Sequence, residues 1–471
     1  MSATATTEKK YLKWYQKLAY GSGDLASNCS YGLVSSFVLL YLTGTLGLDS
    51  AIIGSLMLAS KVLDGISDVI FGTLIDRTHS KLGKARPWML FGQVGVSLCL
   101  FLLFAIPAGS TTMQYIYFFI VYTALNAVFY TANGIAYSSL VALITKNNNE
   151  RVQLGSFRFM FAVITNIVMG FSVTGLVEKF GGGTAGWRTT ALIFAIIGLV
   201  VNTISCLAVK ELPEEELSGN TSEAAEEGKA VAEEKKHGFA ETAKILVHNK
   251  YYLMILAIYI VYYIMSNLTT GAGVFCATYY WGDGSLLGQF SMMKMFPVII
   301  ALAIAPVLIK KTGSMQKVNF WGYAISSVLG IPMIYFAMQK NLSMFLLFMF
   351  IKGIFAGTLS GSLNALIAEA SGYTTRTTGV HMDGMMYSCS SLGVKVGGGI
   401  GTAAVGWLLK LGGFVGTATV QSESAIRMIF NLYITFPFIL GIVITVLLAF
   451  LDVEKANKKW DADHAQKEAQ A

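Results

Sequence analysis

The segment "SKVLDGISDVIFGTLIDR", residues 60–77, is apolar over most of its length but carries Lys61, Asp64 and Asp68. Residues three or four apart lie on the same face of an α-helix, so these three ionisable side chains are predicted to share a face. Each would cost about 2.5 to 3.5 kcal/mol at the centre of a bilayer, or on the order of 8 to 10 kcal/mol together. We therefore predict that this face is turned away from lipid, towards other helices or water.

The composition of the whole chain indicates a membrane protein. Of its 471 residues, 54% are hydrophobic and only 13% are charged, which is more apolar material than a soluble domain hides in its interior. Stretches of about 18 or more mostly apolar residues predict membrane-spanning helices. Twelve such stretches lie near residues 18–43, 50–75, 87–108, 113–144, 154–178, 188–209, 250–280, 286–309, 317–338, 343–370, 379–410 and 424–451.

The basic residues predict how the chain is oriented in the membrane. Four lysines between Lys9 and Lys17 precede the first span, and further basic clusters follow the even-numbered spans, whereas the loops at 108–114 and 281–288 carry little positive charge. The positive-inside rule then places both termini in the cytoplasm of a multi-pass protein of the cell membrane. This placement accounts for the net charge of +7, so no nucleic-acid partner is expected. The five cysteines are isolated within apolar spans, which predicts neither a disulfide nor a metal cluster.

The chain divides into two halves of six predicted spans each. Residues 211–249 are polar, rich in Glu and Ala, and longer than any other loop, which predicts a cytoplasmic linker. A weak repeat relates residues 72–92 to 305–322, each an apolar span followed by a basic, Gly-containing turn and a second apolar span. Two similar halves with one acidic site predict an all-α membrane protein of the major facilitator fold, with a central cavity between two six-helix bundles. The predicted parts are a cytoplasmic tail (1–17), a bundle (18–210), the linker (211–249), a second bundle (250–452) and a cytoplasmic tail (453–471).

Two interpretations fit the charged face of the second span. In the first, Lys61 and Asp64 form a static ion pair that holds two helices together. In the second, Asp64 and Asp68 bind Na⁺ or take up a proton. Ser67 then adds a hydroxyl from the same turn, and Thr131 in the fourth span adds one from a neighbouring helix.

Other polar residues also lie inside predicted spans. The first span begins "YGSGDLASN", which places Asp24 and Asn28 four residues apart on one face. Asp24 either caps a helix or pairs with a loop cation near the cytoplasmic end, or it faces the cavity together with the deeper Asn28. Arg158, near the start of the fifth span, either extends to the cytoplasm or turns inward. Lys395 lies well inside the eleventh span and needs an internal partner or a water-filled cavity.

Four segments resemble the glycoside-pentoside-hexuronide:cation symporters, a family that includes melibiose permease and the glucuronide and xyloside carriers. The resemblance implies that Asp64 and Asp68 are the cation ligands, with Ser67 and Thr131 near them. The four segments are "YGSGDLASN" at 20–28, "DGISDVIFGTLIDRTHSKLGKARPWML" at 64–90, "LGSFRF" at 154–159 and "GMMYSCSSLGVKVGGGIG" at 384–401.

The resemblance also implies that Asn28, Arg158 and Lys395 border the sugar pocket, and we add Asp24 to this group. The sequence departs from the family pattern at two places. In the fourth span Gly-Ile-Ala at 134–136 replaces Asn or Asp, Ile, Pro, which leaves Asn133 as the displaced candidate for a sugar contact. After the tenth span "AEASGYTTRTTG", residues 368–379, replaces an Asp-Tyr-Gly-Glu run and leaves Glu369 as a candidate member of a charge network with Lys61. Melibiose permease has an Asp at the position of Asn28, so a sugar other than melibiose is expected.

The resemblance implies a symporter that imports a glycoside, pentoside or hexuronide together with Na⁺ or H⁺ by alternating access. Its partners are the sugar, the coupling cation and the lipid bilayer; it needs no cofactor, and we expect it to function as a monomer. Two alternatives stay open: a carrier of the same fold for a lysolipid or another solute, and an integral membrane Mg²⁺-dependent transferase, because such enzymes use intramembrane D-x-x-x-D pairs. The transferase is disfavoured because no second acidic motif is found in another span.

Replacing Asp68 with Cys is expected to abolish uphill sugar uptake while leaving the protein in the membrane, because a thiol cannot replace a carboxylate as a cation ligand. Uptake of labelled sugar, measured beside the amount of protein in the membrane fraction, checks this prediction. Undiminished accumulation by the Asp68→Cys variant would contradict the assignment of the cation site.

Overall fold

A computed structural model describes residues 9–213, 245–379, 383–418 and 420–468, and all regular structure within these ranges is helical. Most of the helices are long enough to cross a bilayer alone or joined end to end. They are α1 Trp14–Gly21, α2 Gly23–Leu40, α3 Ser50–Asp76, α4 Arg86–Leu103, α5 Thr111–Thr123, α6 Thr131–Ile144, α7 Asn148–Lys179, α8 Gly183–Leu207, α9 Lys250–Phe275, α10 Leu286–Thr312, α11 Met315–Met338, α12 Leu342–Thr378, α13 Asp383–Leu392, α14 Gly398–Leu411, α15 Glu423–Phe430, α16 Phe436–Phe450 and α17 Val453–Glu468.

The described part of the chain contains eleven helical stretches that are long and apolar enough to span a membrane. Helix α3, the second predicted span, is the one of the twelve that is not among these eleven. Its 27 residues give a length of about 40 Å at 1.5 Å per residue, more than the hydrocarbon thickness of a bilayer. It carries three ionisable residues, Lys61, Asp64 and Asp68, before its terminal Asp76. The predicted linker falls mostly on residues 214–244, which lie outside the described residues.

Several spans are interrupted by a short π-helical stretch. A π-turn is wider than an α-turn, so it moves the following side chains around the helix axis and leaves backbone carbonyls for other partners, often at functional sites. Thr131 directly follows one such stretch and Lys395 lies within another. Among the described residues the stretches are Tyr41–Thr45, Ala124–Tyr130, Cys276–Tyr280, Gly393–Gly397 and Asn431–Thr435.

The chain forms two compact units. Among the described residues, the first unit is built from 9–213, 273–289 and 403–427, and the second unit from 245–272, 290–402 and 428–468. The predicted division into bundles at residues 18–210 and 250–452 stays a prediction.

The core of the first unit lies where α1, α4 and α6 meet. Tyr20 and Tyr137 are fully buried there, and the Tyr137 hydroxyl donates to the backbone carbonyl of Tyr20 over 2.8 Å. Tyr20 in turn donates to the carbonyl of Tyr137. Gly23 allows this approach, because a Cβ at this position would lie 2.7 Å from the Tyr137 ring. The reciprocal bonds therefore fix α1 against α6 beside Asp24.

The core of the second unit includes residues of α9, α12 and α16, among them Tyr259, Ile367 and Leu448. Glycines next to Lys395 let α9 approach closely. A Cβ at Gly397 would lie 2.5 Å from the carbonyl oxygen of Ile260. Small residues of this kind are typical of tightly packed helices in membranes.

Helix α4 is capped by a carboxylate from a distant part of the chain. Glu211 accepts hydrogen bonds from the backbone N–H groups of Lys84, Ala85 and Arg86, at 2.7, 2.9 and 3.0 Å. Gly83 precedes them with a φ of +107°, and a Cβ there would lie 2.4 Å from the Glu211 carboxyl carbon. One side chain therefore satisfies three donors at the start of α4, where the helix dipole also favours a negative charge.

Replacing Glu211 with Ala is expected to destabilise the protein by about 1 to 3 kcal/mol, because three partly buried N–H groups lose their acceptor. The midpoint of thermal unfolding in detergent measures this loss. Asp463→Ala is the matched control, because Asp463 is an exposed acid on α17. Equal midpoints for the two variants would contradict the capping role of Glu211.

Candidate functional site

The charged residues of α3 lie on the face predicted to avoid lipid. The Lys61 ammonium is 3.4 Å from the Asp64 carboxylate, and the two side chains are 17% and 13% exposed. Asp68, one turn further along, is also partly buried. On the opposite face Ile66 and Ile70 are 59% and 52% exposed. The apolar face of α3 is thus the one available to lipid, and the charged face is turned towards the interior of the first unit.

A hydroxyl from the neighbouring span reaches Asp64. Thr131 donates to the Asp64 carboxylate over 2.7 Å, and its hydroxyl is also 2.9 Å from the carbonyl oxygen of Asn126. That carbonyl belongs to the π-helical stretch just before Thr131, five residues earlier. The side chain of Asn126 is anchored by donating to the Tyr122 carbonyl over 2.9 Å. The structure thus brings Thr131 to Asp64, as the spacing of the sequence suggested only weakly.

Ser67 lies in the same turn of α3 as the acids. Its hydroxyl donates to the Asp64 carbonyl over 2.9 Å, so the lone pairs of the hydroxyl oxygen remain available as acceptors. Together with the carboxylates of Asp64 and Asp68 and the hydroxyl of Thr131, it offers oxygen ligands beside the Lys61 ammonium. Carboxylate and hydroxyl oxygens are the ligands that hard cations prefer.

An aromatic pair stands next to Lys61. The Lys61 ammonium is 5.7 Å from the centre of the Tyr31 ring, within the range of a cation–π contact. Tyr31 stacks on Tyr130 with ring centres 5.5 Å apart. Because Tyr31 is on α2 and Tyr130 precedes α6, three spans converge around Lys61.

A second polar cluster joins α2 to α7. The Arg158 guanidinium donates to the Asp24 carboxylate over 2.6 Å, with the side chains 24% and 18% exposed. The guanidinium also lies over the Tyr137 ring, 4.2 Å from its centre. Asp24 is in the first turn of α2, directly after the short break between α1 and α2. The sequence left open whether Arg158 extends to the cytoplasm or turns inward. In the structure it turns inward and pairs with Asp24.

Two amides extend this cluster along α2. Asn28 donates to the Asp24 carbonyl over 2.7 Å, and Asn166 of α7 donates to the Asn28 side-chain oxygen over 2.9 Å. Asp24, Asn28 and Tyr31 share one face of α2, because they are four and three residues apart. One helix face therefore connects the Asp24–Arg158 pair to the tyrosine that contacts Lys61.

The remaining predicted residues lie elsewhere. Asn133 is 3% exposed and donates to the Gln93 side chain over 2.7 Å in the contact between α4 and α6. Lys395 is a partly buried residue of the second unit, and its part in substrate binding stays a prediction. Glu369, also in the second unit, accepts a hydrogen bond of 2.9 Å from Asn457 on α17. The predicted charge network of Lys61 with Glu369 likewise stays a prediction.

The sequence analysis missed four side chains of these clusters: Tyr31, Tyr130, Tyr137 and Asn166. Asn166 had a usable signal, since it is a polar residue within the apolar run "MFAVITNIVM" at 160–169. The tyrosines had none, because the chain has 22 of them and their spacing does not separate site residues from packing residues.

Comparison with known proteins identifies the family. The chain matches the model of the MFS/sugar transport protein family over residues 19–455. The chain belongs to this family. It is 27% identical over 466 residues to the isoprimeverose transporter of Lactiplantibacillus pentosus, covering 98% of this chain and 93% of that protein. It is 24% identical over 444 residues to the putative glycoside/cation symporter YagG of Escherichia coli (strain K12), covering 94% and 92%.

Solved structures agree on the fold. The D-xylose-proton symporter aligns with a TM-score of 0.64 at 12% identity, over 94% of this chain and 98% of that one. The nucleoside transporter NupG aligns with a TM-score of 0.61 at 13% identity, over 92% and 99%. The predicted all-helical major facilitator fold and the resemblance to cation symporters are confirmed. The protein is a multi-pass membrane transporter and not an enzyme, which removes the transferase alternative.

Replacing Arg158 with Ala is expected to lower the stability of this transporter by about 1 to 3 kcal/mol, because the partly buried Asp24 carboxylate then loses its counter-charge. The double variant Asp24→Asn with Arg158→Ala is expected to recover at least half of the loss, since no unpaired charge remains. Thermal unfolding midpoints in detergent measure both effects. Arg188→Ala, at an exposed arginine of α8, is the control; a double variant as unstable as Arg158→Ala would contradict the pairing.

Proposed function

We propose that this transporter is a symporter that brings a glycoside, pentoside or hexuronide into the cell together with Na⁺ or H⁺. The observation that carries the proposal is the hydrogen bond of 2.7 Å from Thr131 to Asp64, which adds a neutral oxygen from a second span to the paired acids of α3. The names of the relatives support it, since they include a transporter of isoprimeverose and a putative glycoside/cation symporter.

The coupling cation binds at Asp64 and Asp68, with Ser67 and Thr131 as further oxygen ligands. The contact of 3.4 Å between Lys61 and Asp64 is longer than the usual 2.7 to 2.9 Å of a charge-assisted hydrogen bond. This loose pairing favours a site in which an incoming cation replaces the ammonium, over the static ion pair that the sequence left open. Two carboxylates oppose one ammonium on this face of α3, so one monovalent cation brings its charge to zero. A neutral site costs less to move past the apolar interior than a charged one.

The sugar binds at the second cluster. The Asp24–Arg158 pair, Asn28 and Asn166 present donors and acceptors side by side, which is the pattern that neighbouring sugar hydroxyls require. Asn133 is left out of this pocket because its amide is engaged by Gln93.

Helix α2 provides the physical link between sugar and cation. Asn28 faces the sugar cluster, and Tyr31, one turn further, contacts Lys61. A shift of α2 on sugar binding therefore changes the position of Lys61 relative to Asp64. By thermodynamic reciprocity, a cation that raises the affinity for sugar is itself bound more tightly, by the same factor, when sugar is present.

The membrane potential supplies the energy for accumulation. Moving one positive charge through 100 mV yields about 2.3 kcal/mol, which corresponds to roughly fortyfold accumulation at 1.4 kcal/mol per tenfold. The protein acts as a monomer in the cell membrane, with both termini in the cytoplasm, and exposes its site to each side in turn.

The second candidate, a lysolipid carrier of the same fold, fits the polar cluster less well. An acyl chain against Asp24, Arg158 and Asn28 would bury polar groups without hydrogen-bond partners, which costs free energy. The hydroxyls of a sugar hydrogen-bond to the same polar side chains.

Replacing Thr131 with Val is expected to raise the Na⁺ concentration for half-maximal uptake about tenfold or more, because Na⁺ loses an oxygen ligand and a polar contact to a charged group contributes about 1.5 to 3 kcal/mol. Thr131→Ser retains the hydroxyl and is expected to stay close to the native protein. The measurement is uptake of labelled β-glycosides, pentosides and hexuronates into vesicles at increasing Na⁺ and at increasing H⁺.

Thr203→Val is the matched control for this experiment, because the Thr203 hydroxyl only donates to the Leu199 carbonyl of its own helix, over 2.7 Å. Equal cation dependence of the Thr131→Val and Thr203→Val variants would contradict the cation site. Failure of every sugar in the panel to move with either cation would contradict the symport itself.

A further inference from the structure

The second unit contains a partly open cavity of about 180 Å³ that belongs to neither of the two clusters described above. Its walls come from α9, α10, α11, α12 and the last span, and they are largely apolar, with residues such as Met293, Val298 and Phe345. The volume exceeds the roughly 150 Å³ of a cavity that holds a benzene molecule. A small ring, or a carboxylate group with the atoms bonded to it, therefore fits inside.

Two lysines line this cavity. Lys294 of α10 donates from its ammonium to the Thr270 hydroxyl over 3.2 Å, and Thr270 donates onward to the Ser266 carbonyl over 2.9 Å. Lys352 of α12 lines the same cavity. Within the described ranges, the structure gives the Lys352 ammonium no hydrogen bond and no ion pair. Neither lysine was singled out by the sequence pattern.

The lining residues that the structure describes include no Asp or Glu. Two ammonium groups therefore face one small space without a carboxylate in its wall. Each ammonium at membrane depth costs about 2.5 to 3.5 kcal/mol on the insertion scale, and two like charges in one cavity repel each other.

The positions of the lysines exclude simple extension to the membrane surface. Lys294 is eight residues from the start of α10 and Lys352 ten residues from the start of α12, or about 12 and 15 Å along the helix axis. That depth exceeds the reach of a lysine side chain, and both side chains line the cavity rather than the helix ends. Ionisable residues held in this way inside membrane proteins mark solute or ion sites.

We propose that this cavity is an anion-binding site in which Lys294 and Lys352 hold the carboxylate or sulfonate of a small solute. A negative group supplies the counter-charge that the described wall lacks, and its oxygens accept from both ammonium groups. The hydroxyls of Tyr262 and Ser360, which are 2.8 Å apart, line the same space and leave one proton of the pair for a polar atom beside the anionic group. Neither a neutral sugar nor an acyl chain would neutralise the two lysines.

This inference goes beyond the proposed function: it adds to the second unit a site for an acidic sugar or a sulfonate, separate in its residues from the sugar cluster of α2 and α7. In its residues the anion site is separate from the cation site on α3, so the two proposals can fail independently.

The test compares binding of D-glucuronate with binding of D-glucose to purified protein, by calorimetry at fixed Na⁺ and pH. The native protein is expected to bind glucuronate at least tenfold more tightly than glucose. The double variant Lys294→Gln with Lys352→Gln is expected to reduce this preference below twofold. The single variant Lys352→Arg, which keeps the charge, is expected to retain a preference for glucuronate within threefold of the native value. This result would show that substitution at position 352 does not by itself misfold the protein.

Lys310→Gln is the matched control, since Lys310 is an exposed lysine on α10, the same helix as Lys294. The inference is overturned if the native protein does not prefer glucuronate, or if the double variant keeps the preference. It is also overturned if inorganic phosphate binds at the lysines and glucuronate does not compete with it.

The outcomes separate the two proposals. Cation-driven uptake of neutral sugars without any preference for glucuronate would overturn the anion site and leave symport standing. Lysine-dependent binding of glucuronate without any cation dependence of uptake would overturn symport and leave the anion site standing.

Discussion

The structure of this transporter depends on keeping two carboxylates and an ammonium of one helix away from lipid. The charges of α3 occupy one face, and the opposite face is apolar and exposed. Exposing the charges to acyl chains would cost several kcal/mol, so other spans must cover them. Thr131 and Tyr31 do so from two different helices. The same constraint that positions α3 in the first unit also assembles the oxygen atoms of the proposed cation site.

The two clusters of the first unit are adjacent because α2 contributes to both. Its face carries Asp24 and Asn28 towards α7 and Tyr31 towards Lys61. Coupling between two ligands requires an element whose position both of them influence. Helix α2 meets this requirement through its contacts with Arg158, Asn166 and Lys61, and the reciprocal hydrogen bonds of Tyr20 and Tyr137 hold α1 against α6 beside Asp24. The π-helical stretch before Thr131 serves the same site by placing the Asn126 carbonyl within reach of the Thr131 hydroxyl.

Much of the fold was predictable from the sequence, and the candidate sites were predictable in part. Lys61, Asp64 and Asp68 were found because ionisable residues in an apolar span are costly and few. Asn166 was missed although the same reasoning applies to it. Tyr31 and Tyr137 could not be found, because the chain has 22 tyrosines and the sequence does not show which of them contact a charged side chain. Asn133 fitted the sequence pattern of a sugar contact, but its partner is Gln93 on α4, a pairing that depends on how two spans face each other.

The sequence by itself determined the class of protein, the approximate spans and the face of α3 that avoids lipid, because hydropathy and helical periodicity are local properties of the chain. Only the tertiary structure decided which side chains meet. It paired Asp24 with Arg158 and Thr131 with Asp64, and it placed Lys294 and Lys352 around one cavity. These pairs of residues are from 58 to 134 positions apart in the chain. The physical reason is that helix rotation and the π-turns set the direction of each side chain, and these depend on packing between spans.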